Sequence, residues 1–253
     1  MPQPPLPFYL DWQFWSAGAA WLALAITLFP HIARWVRRPR IEVEVANRIL
    51  LKHSIGDPGA QLHVALTNAG SREVRLKSMY LSLQRGDEQF RINAPGYFPT
   101  PDAKVALMFV PFRIPPHSDW TYLVNFSSVA QLDRLESKMI RERSSRLRND
   151  IILKRMGLEK NAPDVPAEPE FWEPLVQHFN RSFKWVPGEY YASLVVETEP
   201  PNVAQPRRFR FTIFESDTHE LRSVVDDIKF GYGIFLDYHP DRPGIVTAEL
   251  SNV

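Results

Sequence analysis

RFRFTIF, residues 208–214, sets Phe209, Phe211 and Ile213 on one side of an extended chain and Arg208, Arg210 and Thr212 on the other. A period of two is the mark of a half-buried strand, so one side of this segment belongs to a core. IEVEV at 41–45 repeats the pattern, with Ile41, Val43 and Val45 alternating with Glu42 and Glu44. LHVAL at 62–66 does the same and runs into Asn68-Ala69-Gly70-Ser71, a strand entering a turn. In the run 74–83 the apolar parity changes between Leu76 and Met79, which predicts a bulge, and pairing with the preceding strand is the natural expectation. Further strands are expected at 104–114, 120–126 and 189–198, most of them bounded by Pro or Gly. Roughly seven strands in such a span predict a mainly β fold, an antiparallel sandwich rather than an alternating α/β layout.

The pieces LHVALTNAGSREVRL, FRIPPHSDWTYLVNF and VPGEYYASLVV resemble the strand–turn–strand texts of immunoglobulin-like and fibronectin-like sandwiches. The resemblance implies an Ig-like body and no particular function, because these folds share architecture without sharing activity. The cysteine pair of antibody domains is missing.

Between the strands stands a different text, VAQLDRLESKMIRERSSRLRNDIILKRMGL at 129–158, free of Pro. Leu132, Leu135 and Met139 fall at helical spacing, Ser127 or Ser128 is placed to cap the start, and Gly157 to stop it. Together with a short helix expected at 171–183, this predicts a helical insertion over about 128–183. The apolar stripe breaks at 142–146, so the helix reads as an addition to the sandwich rather than a part of its core. From 129 to 160, nine Lys and Arg oppose five Asp and Glu. Arg141, Arg143, Arg146 and Arg148 are the candidates for docking a partner or the chain's own membrane surface, against the alternatives of a solvated face or a nucleic-acid contact; the interleaved acids dilute the field, and no nucleic acid is expected. At the far end, 218–229 reads as helical and 231–237 as a short strand or irregular packing.

Ahead of the first strand, WQFWSAGAAWLALAITLF at 12–29 holds no charged side chain. With its continuation to residue 33 it is long enough to cross a hydrocarbon core of roughly 30 Å at about 1.5 Å per residue. Trp12, Trp15 and Trp35 mark the ends, where indole favours the interface. Arg34, Arg37, Arg38 and Arg40 follow the segment, while Asp11 is the only charged residue in 1–11. This asymmetry predicts a single-pass helix at 12–33, a short extracytoplasmic tail at 1–11, a basic juxtamembrane linker at 34–40 and a cytoplasmic body at 41–253. A cleavable leader would carry its basic residues on the other side.

The 253 residues carry 30 Lys and Arg against 29 Asp and Glu, too balanced for a protein whose main task is gripping nucleic acid. With no cysteine there is no disulfide scaffold, thiolate metal site or cysteine nucleophile. Seven histidines are scattered without a His-x-x-x-His pair, and Asp237-Tyr238-His239-Pro240-Asp241 reads as a surface turn. Asp226 and Asp227, consecutive on a helix, cannot face one another as a dyad. No catalytic residue, cofactor or metal is assigned. The expectation is a membrane-anchored, non-catalytic interaction or assembly subunit, with the bilayer and either protein partners or a second copy as its contacts. The alternative is a sensor whose body binds a small ligand or protein signal and changes helix association through the small residues Ser16 to Ala20.

Overall fold

The computed structural model describes residues 12–36, 39–100, 102–103, 105–129, 132–159 and 163–253. The tail 1–11, Arg37 and Arg38 lie outside the described residues, as do the side chains of Trp12, Arg34 and Trp35. Helix α1 (Trp12–Val36) precedes a long hairpin of β1 (Ile41–Ser54) and β2 (Asp57–Asn68), then β3 (Val74–Arg85), β4 (Glu88–Phe98), β5 (Leu107–Met108), β6 (Phe112–Ile114) and β7 (Asp119–Ser127). Helices α2 (Arg134–Arg155) and α3 (Pro169–Ser182) stand between β7 and β8 (Gly188–Glu199). The chain closes with β9 (Arg207–Ile213), α4 (Glu215–Ser223), a 3-10 turn (Val224–Phe230), β10 (Val246–Glu249) and β11 (Ser251–Asn252).

The fold is mainly antiparallel β. Two separately bonded sheets are not what these strands make: all belong to one sheet in the order β10-β1-β2-β7-β4-β3-β8-β9-β11, with β5 on β4 and β6 on β3. The sheet curls until β9 contacts β10 and β1, so it is sandwich-like in enclosing a core and nearly a barrel in its bonding. Register shifts supply the bends. One lies between Val45 and Ile49 of β1, and another between Leu76 and Ser78 of β3, where the apolar parity changes. The partner expected for β3 is corrected: it pairs with β4, β6 and β8, not with β2, because β2 is already taken on both sides by β1 and β7.

Phe209, Phe211 and Ile213 are buried, and Phe211 stacks on Tyr190 of β8 with ring centroids 5.2 Å apart. The Tyr190 hydroxyl donates to the Lys184 carbonyl at 2.7 Å and accepts from the Val186 N–H at 3.1 Å, fixing the turn that opens β8. Asn68 is fully buried at the other end of the sheet; its Oδ1 accepts from Gly70 N–H at 3.0 Å and its Nδ2 donates to the carbonyls of Arg72 and Ile114. The polar turn is thereby satisfied without water.

Candidate interaction surfaces

Helix α2 begins at Asp133, whose carboxylate accepts from Glu136 N–H at 2.7 Å; the serines upstream do not cap it. Ser127 Oγ instead accepts from Val129 N–H at 3.2 Å. The reading of α2 as wholly outside the core is corrected too. Leu147 and Ile151, one turn apart, are buried and join the core through α3. Ion pairs close the remainder of the contact: Lys154 with Asp150 and Glu168, Arg155 with Asp164, and Arg181 with Glu136 at 2.6 Å.

The four arginines singled out from sequence do not share a face. At about 100° per residue, Arg141 and Arg148 lie about 20° apart, while Arg146 and Arg143 point well away from them. Arg143 is half-buried beside α3 and donates to the Glu170 carbonyl at 3.2 Å. Arg134, which the sequence reading passed over, is exposed and falls seven residues before Arg141. Arg134, Arg141 and Arg148 thus form one exposed stripe with no ion-pair partner among the described residues. The i, i+7 spacing is the signal that could have found it.

Beneath the helix pair lies a histidine latch. His178 of α3 is buried; its Nε2–H donates to Asp57 Oδ2 at 3.0 Å, and its Nδ1 lies 3.3 Å from Glu136 Oε1. Ser182 Oγ stands 3.3 Å from the same Nε2, which has no lone pair left to take a hydroxyl proton, so this trio is a tie between β2, α3 and α2 rather than an activated nucleophile. A cleft of about 450 Å³ opens beside it, lined among others by Asp57, Arg91, Glu136, Arg181 and Lys184. His53 lies one layer deeper. It is buried edge-on against Phe179 and donates from Nε2 to the Leu221 carbonyl at 2.8 Å. Burial pushes its imidazole down to about 4.

Asp227 is buried and paired with Arg242 at 3.1 Å; burial raises its carboxyl, and its Oδ2 has no hydrogen-bond partner. His239 sits 3.8 Å from Asp241 in the 237–241 turn. Among the described residues no three His, Asp or Glu side chains group as metal ligands do.

The described side chains of α1, residues 15–29, are all exposed, including Trp15, Trp21, Leu22, Ile26 and Phe29. Among the described residues no helix is long and apolar enough to cross a membrane. Arg40, at the entry to β1, pairs with Glu42 at 3.2 Å.

No protein-family model matches the chain. No curated protein matches it either. Among solved structures it is similar to the crystal structure of Spo0M, a sporulation control protein from Bacillus subtilis, at 10% identity and a TM-score of 0.27, over 75% of this chain and 56% of that one. The chain thus spans little more than half of that protein, and a likeness of this degree carries no argument about function.

Proposed function

We propose that this chain is a membrane-anchored, non-catalytic assembly subunit, fixed to the bilayer by α1 and presenting its β body to protein partners on the cytoplasmic side. One observation carries the reading: α1 is a 25-residue helix whose described side chains are exposed and mostly apolar. Leaving so many large apolar groups in water forgoes about 1.5–3 kcal/mol for each side chain that burial would stabilise. The fifteen described side chains, 15–29, are too few to cross by themselves; crossing rests on the uncharged sequence continuing on both sides of them. Orientation rests on Arg34, Arg37, Arg38 and Arg40, all on one flank.

The full chain should stay with membranes through alkaline carbonate washing and leave them only in detergent. A reporter fused after Val253 should be active as a cytoplasmic reporter and silent as an extracytoplasmic one. Release by carbonate would sink the anchor, and the opposite reporter pattern would sink the orientation.

The basic stripe on α2 supplies the docking face. Its helix pair is tied by the latch to Asp57, at the opposite end of the β1–β2 hairpin from Ile41; the eleven steps of β2 from Asp57 to Asn68, at about 3.3 Å each, put these ends about 36 Å apart along the strand. That separation favours an acidic protein surface over the chain's own membrane. Replacing Arg134, Arg141 and Arg148 by Gln should leave the thermal midpoint within about 1 °C, since exposed unpaired charges contribute little. The same change should strip off proteins that co-purify in mild detergent, as raised salt does for the parent chain. Retention of all partners by the triple variant at every ionic strength would remove the stripe from the interface. The sensor alternative draws on the cleft beside His178, which borders both α2 and α3; a small molecule carried through purification would favour it.

A further inference from the structure

The outer face of α2 carries more than a row of arginines. Arg134, Lys138, Arg141, Ser145, Arg148 and Ile152 follow one another at alternating steps of four and three residues, Met156 continues the line one turn on, and all are exposed. At about 100° per residue they share a band about 80° wide. It lies opposite Glu136, Arg143 and Lys154, which reach α3 through Arg181, the Glu170 carbonyl and Glu168. Alternating steps of three and four make the seam by which one helix lies along another, and here it runs for about 33 Å. Its two parts differ. From Arg134 to Arg148, about 21 Å, it is basic. The three arginines have no ion-pair partner among the described residues, and Lys138 reaches only the exposed Glu142, at 3.7 Å. Its end is apolar: Ile152 is 44% exposed and Met156 72%, with Leu153 beside them at 66%.

Each part narrows what can cover the seam. Arginines about 10 Å apart along the axis call for carboxylates at the same interval, which a seven-residue spacing on a facing helix provides. Large exposed apolar groups in line with them call for apolar cover, which a scatter of surface acids does not supply. A bilayer surface fits less well. A helix lying in the headgroup layer needs an apolar face along its whole length, whereas on α2 arginines line the same band that turns apolar only at its end. We infer that α2 receives an acidic helix of a protein partner, laid along it at a crossing of about 20°, with carboxylates toward Arg134, Arg141 and Arg148 and apolar side chains over Ile152 and Met156. The inference rests on the docking role of α2 proposed above. Charge draws the partner in, and the apolar end fixes which way it lies, since the reverse direction would set its carboxylates against Ile152 and Met156.

The absence of cysteine makes the test direct. Ser145→Cys and Met156→Cys on the seam, and Arg146→Cys about 100° away from it, would each carry an environment-sensitive fluorophore on the full chain in vesicles of phosphatidylcholine. The probe is a helical peptide with Glu at every seventh position and Leu on the same face at one end; its control has the same composition in shuffled order. With the patterned peptide, labels at 145 and 156 should move to the blue and the label at 146 should not. The shuffled peptide should bind about tenfold more weakly, and so should the patterned one to a chain with Arg134, Arg141 and Arg148 replaced by Gln. Equal binding of the two peptides, or binding of neither, would overturn the helical partner. So would an equal blue shift in vesicles containing phosphatidylglycerol with no peptide present, which would give the face to lipid. The native partners separate this inference from the reading beneath it. Ile152→Gln combined with Met156→Gln should release proteins that co-purify in mild detergent, as the arginine triple variant should. If only the triple variant releases them, the docking role stands and the helical partner fails; if neither does, the docking role fails as well.

Discussion

Gly56→Ala should destabilise the body by about 2–5 kcal/mol, while the same change at Gly86 should cost only about 1 kcal/mol. Both glycines occupy hairpin turns with positive φ, +90° at Gly56 and +55° at Gly86, so both substitutions carry a backbone penalty. They differ in what a methyl group would meet. At Gly86 nothing lies within 4 Å, whereas at Gly56 the new Cβ would stand 2.5 Å from the Phe179 carbonyl oxygen and 2.6 Å from its Cα. A helix backbone cannot rotate aside as a side chain can; α3 must move off the β1–β2 turn as a unit. That motion would lengthen the His178–Asp57 tie and loosen the edge-on contact of His53 with Phe179. Urea unfolding of both variants beside the parent measures the difference. Equal losses at the two positions would show that α3 does not depend on this close approach.

The strands that alternate cleanly were the legible part of the fold. Phe209, Phe211 and Ile213 could be placed on the core side because a strand has only two faces, and the parity change between Leu76 and Met79 marked a real register shift. Strand β4 was missed, since Pro95 and Gly96 interrupt its text. Both are admissible there because β4 is changing partners, from β3 to β7, over those residues. Whether strands make two sheets or one curled sheet depends on long-range pairing, which no local period encodes. The basic stripe of α2 was half legible: its charge excess could be counted, but its direction needed the burial of Leu147 and Ile151 to say which side of α2 faces α3. The histidine latch was illegible, because Asp57, Glu136 and His178 lie far apart in sequence and each looks ordinary where it stands.

Acidification should release that end of the molecule, with His53 as the responsible group. Burial is the main reason its imidazole is pushed down from 6.5 to about 4, outweighing the hydrogen bond to the Leu221 carbonyl and the nearby Asp57 carboxylate, which both act the other way. The unfolded chain therefore takes up a proton as the pH falls through 6.5, and the folded chain refuses it until about 4. His53 thus contributes stability that is fully present above pH 6.5 and is lost as the pH falls to about 4, a total of about 3 kcal/mol. Asp227 has the opposite sign: its raised carboxyl contributes stability below its ordinary range that is lost as the pH rises. The parent curve alone would mix the two. His53→Gln keeps an N–H donor for Leu221, cannot take up a proton and leaves Asp227 unchanged, so the difference between the two chains isolates the imidazole. At pH 7 the variant should be the less stable by about 1–2 kcal/mol, through poorer packing against Phe179, Phe183 and Tyr238. Between pH 6.5 and 4 the gap should close and then reverse, as the parent alone pays for keeping the ring neutral. Parallel stability curves for the two chains across that window would mean that His53 is free to ionise in place, and that the contacts of α3 with the hairpin do not sense pH.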